Sequence, residues 1–140
     1  MRIINYLSCI VLFLAFIFLC LFAYWSLYPY KPIVFNNIPF PVDHGIYAPG
    51  DVLVYKVDYC KYTDLIPIVT RYYVNSVINF VSSNPAIYKP KGCAVTNVQL
   101  TIPNSLYPDV YYLRINYIYQ VNPIRTINVS ATTSAFIITK

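Results

Sequence analysis

The chain has 140 residues, 58% of them hydrophobic and 11% charged, with ten Lys and Arg against five acids for a net charge of +5. One histidine, three scattered glycines and a complete lack of glutamate leave little from which to build a glycine-rich phosphate cradle or a zinc centre. The length suits a single domain, and the hydrophobic excess over soluble domains points to a membrane segment.

That segment comes first. Residues 7–27 read LSCIVLFLAFIFLCLFAYWSL, without charge or proline, and at about 1.5 Å per residue they match a hydrocarbon core of about 30 Å. The expected layout is a short tail over residues 1–6, a transmembrane helix over 7–27, a spacer over 28–32 and a folded domain over 33–140. Tyr24, Trp25, Tyr28 and Tyr30, followed by Lys31, form the aromatic belt and cation expected where a helix leaves the bilayer. A cleaved signal peptide shares the opening, with Arg2 as its positive n-region. Bulky Phe22, Tyr24, Trp25 and Leu27 stand where a cleavage site wants small residues, which favours an uncleaved anchor. Cys9 and Cys20 lie on one face of this helix and read as apolar filling.

Beyond the helix, Tyr28-Pro29-Tyr30-Lys31-Pro32 makes a stiff extended spacer. Strands are expected from there on, because Tyr, Phe, Val, Ile and Thr dominate and no helical period competes. Turn signals recur at Ala48-Pro49-Gly50-Asp51, Asn84-Pro85, Lys89-Pro90-Lys91-Gly92, Ile102-Pro103-Asn104-Ser105, Tyr107-Pro108-Asp109 and Asn122-Pro123. Between them the alternation places Leu53, Tyr55, Val57 and Tyr59 on a core face, then Val98, Leu100 and Ile102. Tyr111, Leu113, Ile115, Tyr117, Tyr119 and Val121 follow in the same pattern. Further strands are expected near 33–36, 69–81 and 126–138. About seven strands without intervening helices predict a mainly β chain: one N-terminal transmembrane helix, then an antiparallel β-sandwich.

The order of segments over residues 33–139 resembles immunoglobulin-like and fibronectin-type sandwiches, and Asp109-Val110-Tyr111 is similar to their tyrosine corner. Leu113 occupies the position where an antibody domain has its second cysteine. The overall layout also resembles small membrane-anchored envelope proteins of bacteria and their phages. In a seven-stranded sandwich, Cys60 at the end of one strand and Cys93 at the start of another fall on antiparallel neighbours, both on the outward face. The pair is therefore expected to form a disulfide. Zinc is the alternative use of cysteine, but His44 is the only histidine and C-x-x-C is absent. A disulfide implies an oxidising compartment, which with Arg2 predicts an N-in chain whose sandwich is extracytoplasmic.

Catalysis is not expected. Asp43, His44 and Asp51 could gather near one turn, yet no nucleophile elbow accompanies them. No cofactor is implied. The basic residues are spread singly, without a run that would suit nucleic acid. Asn128-Val129-Ser130 is a glycosylation sequon, meaningful only in a eukaryotic secretory pathway. The expected role is a structural or accessory component of an envelope or virion-membrane assembly, held by lipid around the helix and touching a protein partner or another copy. Tyr62, Tyr72, Tyr73 and Tyr112 are the expected contact residues. The alternative is a free-standing tethered module: a receptor, adhesin or exclusion factor.

Overall fold

The computed structural model describes residues 2–27, 30–76, 79–82 and 90–140. Helix α1 runs Arg2–Leu27, so the expected tail over 1–6 is largely helical. Nothing between Arg2 and Tyr6 breaks a helix, since proline and glycine are missing there. Within it, Ser8–Leu27 is long and apolar enough to cross a membrane. Tyr28 and Pro29, and with them part of the expected aromatic belt and spacer, lie outside the described residues, as does the Asn84-Pro85 turn.

Among the described residues nine strands follow: β1 (Ile33–Phe35), β2 (Ile46–Tyr47), β3 (Val52–Lys61), β4 (Ile68–Val74), β5 (Asn79–Ser82), β6 (Gly92–Thr101), β7 (Asp109–Asn122), β8 (Arg125–Thr132) and β9 (Phe136–Ile138). They form two sheets. The first has the order β1-β3-β6; the second has the order β2-β9-β7-β4-β5, with β8 also on β7. All pairings are antiparallel except β2 with β9. The core lies between the sheets, where Tyr55, Tyr59, Tyr73, Tyr111 and Tyr119 are almost wholly buried with Phe40 and Phe136.

Alternation explains which side chains enter that core. Leu53, Tyr55, Val57 and Tyr59 of β3 all point inward, as do Val98 and Leu100 of β6, with Ile102 just beyond its end. On β7, Tyr111 through Tyr119 do the same on every second residue, while Val121 is only partly covered. The Tyr111 hydroxyl donates to the Tyr107 carbonyl at 3.1 Å, pinning the corner where β7 begins.

Two expected strands are each divided. The segment 126–138 becomes β8 and β9 because Thr133 leaves the ladder: its hydroxyl accepts the Leu113 N–H at 2.9 Å. Phe40 docks into the gap, its N–H reaching the Thr132 carbonyl at 2.8 Å and its own carbonyl taking the Ser134 N–H at 2.9 Å. The segment 69–81 becomes β4 and β5, folded back on each other with Val74 opposite Asn79. At Gly50, φ is +90°, the left-handed geometry that the third residue of the Ala48-Pro49-Gly50-Asp51 turn needs and that glycine supplies without strain.

The sandwich has two distinct ends. At the base, α1 delivers the chain into β1, β3 ends at Lys61, and the β7–β8 turn at Pro123-Ile124 lies against the helix. There the Asn122 side-chain amide donates to the Trp25 carbonyl at 3.1 Å, satisfying one of the carbonyls that a helix end leaves open. The Tyr62 N–H likewise donates to the Pro32 carbonyl at 2.9 Å. At the far end, the tip, lie the Gly50 turn, the start of β7 and the close of β9.

Candidate functional site

Strand parity that buries Tyr47, Tyr111, Phe136 and Ile138 turns their neighbours outward, and three of those neighbours are apolar. Ile46 pairs with Ile137, and Ile137 with Val110, so one row crosses β2, β9 and β7 at the tip. These residues are 63%, 43% and 53% exposed, respectively. Tyr112 extends the row along β7 and faces Val74 on β4, and Tyr72 comes next, opposite Arg114. A shallow cleft of about 220 Å³ opens among Tyr72, Val74, Arg114 and Asn116. The result is a continuous apolar and aromatic strip on the outer face of the larger sheet.

One carboxylate borders the strip at the tip, and a second, Asp43, lies beyond the sheet edge on the side of the smaller sheet, near Val54, Lys56 and Asn97. Asp109 accepts from the Asn75 side-chain amide at 2.9 Å. Asp43 sits in a cluster of donors: the Tyr47 hydroxyl, the His44 N–H at 3.0 Å and the Val54 N–H at 3.3 Å. Burial works against its charge, but these hydrogen bonds and the nearby imidazole outweigh it and hold the carboxyl below the usual aspartate range. The same contact, together with burial, pushes the Tyr47 hydroxyl up to about 12.

The residues singled out from sequence divide as follows. Tyr72 and Tyr112 lie half-buried on the strip, whereas Tyr73 belongs to the core, where it packs edge-on against Phe136. Parity corrects that assignment, because a residue one step from an outward tyrosine must face inward. Tyr62 is exposed but stands at the base, far from the other two. Ile46, Val110 and Ile137 were not singled out. Val110 was legible, as an apolar residue on the face opposite Tyr111, but its neighbours come from distant segments and only the topology brings them together.

Cys60 and Cys93 face each other directly across β3 and β6 and are joined, with Cα atoms 3.9 Å apart. Cys9 and Cys20 are free thiols on the exposed helix surface. At the base, Tyr24, Trp25, Tyr30, Val121, Asn122 and Arg125 line a cleft of about 280 Å³, and Lys31 is exposed beside it. Asn128 points outward from β8, next to a Ser130 hydroxyl that donates to the Asn116 side-chain Oδ1 at 2.8 Å.

The chemistry available elsewhere is modest. Asp43 and His44 approach at 3.6 Å on an exposed loop, while Asp51 is engaged in its own turn, accepting the Ala48 N–H at 2.7 Å. Among the described residues no three His, Cys, Asp or Glu side chains gather as metal ligands. Between the sheets, Lys61, Val69, Arg71, Tyr117 and Tyr119 help line a space of about 20 Å³, room for about one water. The chain matches no protein-family model, and no curated protein matches it.

Proposed function

We propose that this protein is a single-pass membrane-anchored, non-catalytic display module that binds another protein through the outer face of its larger sheet. The reading rests on the strip formed by Ile46, Ile137 and Val110 and continued by Tyr112 and Tyr72. Contiguous exposed apolar surface is costly in water and marks contact sites, and tyrosine and arginine are the residues that carry most energy in such contacts. Asp109 at its margin suits a partner with an apolar centre and a basic group at its rim.

The anchor is α1, with Trp25, Tyr24 and Lys31 at the interface and the sandwich on the oxidising side, where the Cys60–Cys93 disulfide persists. Two features support an immunoglobulin-like sandwich. One is the strand order, with β1-β3-β6 facing a sheet built on β4, β7 and β8; the other is the Tyr111 corner bond. In this reading the protein is a structural or accessory part of an envelope or virion membrane, with lipid and one protein as its partners.

A photo-crosslinking amino acid placed at Ile137 in native membranes tests the proposal against the same probe at Asn97, on the outer face of the smaller sheet. A discrete adduct from Ile137 that disappears with Val110→Asp supports it. Equal labelling from both positions, or none from Ile137, overturns it.

A further inference from the structure

We infer that the base of the sandwich is itself a lipid-binding surface, seated on the anionic leaflet from which α1 emerges; this rests on α1 being a membrane anchor. Three observations converge. The β3–β4 loop exposes Leu65 and Ile66 beside Tyr62, and the β7–β8 turn exposes Ile124, all at the end where the helix joins. Large apolar side chains on two separate loops of one end are what an interfacial contact requires.

Ile124 is also continuous with the helix surface. Together with Phe18, Leu21, Phe22 and Trp25 it lines an apolar groove of about 260 Å³. Phe22 lies five residues before the helix end at Leu27, or about 7.5 Å deeper along the axis. With α1 spanning the bilayer, the turn that shares this groove with Phe22 and Leu21 reaches toward the acyl region of that leaflet. The hydrogen bond from Asn122 to the Trp25 carbonyl holds it there.

Charge is sorted along the same axis. Lys31, Lys91 and Arg125 stand at the base with Asp64, which interacts with Lys61, and Asp58 lies three residues up β3 from Lys61. Asp43, Asp51 and Asp109 stand at the tip with a single described cation, Lys140, so the balance there is acidic. In sequence the cations of the base are far apart, and only the fold collects them. The arrangement matches a surface of headgroup phosphates below and repels it above. The cleft among Tyr24, Tyr30 and Arg125 offers a cation with aromatic walls at headgroup height.

The chain has a single tryptophan, Trp25, so the test can be made by fluorescence quenching. The full chain is reconstituted into phosphatidylcholine vesicles containing a quarter phosphatidylglycerol, with a fraction of the acyl chains brominated. Four proteins are compared: the wild type, Trp25→Phe/Ile66→Trp and Trp25→Phe/Ile124→Trp as probes of the base, and Trp25→Phe/Tyr107→Trp as a probe of the tip. The expected result is strong quenching in the wild type and in both base variants, and none in the Tyr107→Trp variant at the tip. Replacing phosphatidylglycerol by phosphatidylcholine, or Lys91→Glu, should lower base quenching, each basic contact shifting the docked-to-lifted ratio by about fivefold.

Quenching in the wild type but in neither base variant overturns the lipid seat and leaves the anchor standing. No quenching of Trp25 overturns both. Quenching of the Tyr107→Trp variant overturns the upright seating, and base quenching that ignores lipid charge overturns the role of the cations.

Discussion

Arg71 donates its Nε–H to the Tyr55 hydroxyl at 3.2 Å, reaching from β4 in one sheet to β3 in the other through the buried interior. A guanidinium is rarely buried without partners, because stripping its hydration costs more than most contacts return. The tyrosine is held neutral in turn: burial raises its hydroxyl above the usual range, and the nearby cation only partly offsets this.

Tyr55→Phe should therefore destabilise by about 1–3 kcal/mol, since it leaves a buried charged donor with one acceptor fewer. Arg71→Met should cost less than Arg71→Ala, because it removes the charge while filling most of the volume. Urea denaturation of the full chain in mild detergent measures both.

Loss of the Cys60–Cys93 bond should be felt throughout the sandwich. It closes a loop of 33 residues, and replacing both cysteines by serine is expected to cost about 3–4 kcal/mol through the greater freedom of the unfolded chain. A lower midpoint for the double variant, matched by the reduced wild type, checks this. Identical midpoints would assign the bond no part in stability.

Alkaline pH should unfold the protein. Burial raises the hydroxyls of Tyr59, Tyr73, Tyr111, Tyr117 and Tyr119, the last to about 12. Unfolded tyrosines release their protons near 10, so the stability these groups contribute is intact below about pH 10 and is lost as pH rises toward 12. The last part of the tyrosinate absorbance change, from the buried hydroxyls, should coincide with the loss of circular dichroism in one cooperative step. Gradual ionisation without unfolding would refute this.

Acid should act on the tip. The Asp43 carboxyl is held below its usual value of 3.8, so its contribution is present above the unfolded value and disappears as pH falls through the folded one. Asp43→Asn should flatten the acid limb of the stability curve and lower the Tyr47 ionisation from about 12, which spectrophotometric titration can follow.

Much of the architecture could be read from alternation alone. Parity named the inward faces of β3, β6 and β7, and it set Cys60 and Cys93 on the same outward side. What parity lacks is adjacency. The division of β8 from β9 depends on Phe40 arriving from the other end of the domain to satisfy backbone around Thr133, and no local pattern announces that visit. The exposed strip was hidden similarly, since Ile46, Val110 and Ile137 each look unremarkable within their own strands. Tyrosine suits both a core and an interface, so residue type alone does not separate Tyr72 from the buried Tyr73; only their places in the alternation do.

Strand β7 spans fourteen residues, with its last near the helix and its first at the tip, a length of about 45 Å at the usual rise. Whatever grips the tip while α1 is held fixed must pull along this strand and its neighbours. Such tension loads the ladder hydrogen bonds side by side, in shear, instead of peeling them apart one after another. The domain is built as a short stiff strut, able to carry force between a membrane and whatever holds its outer end.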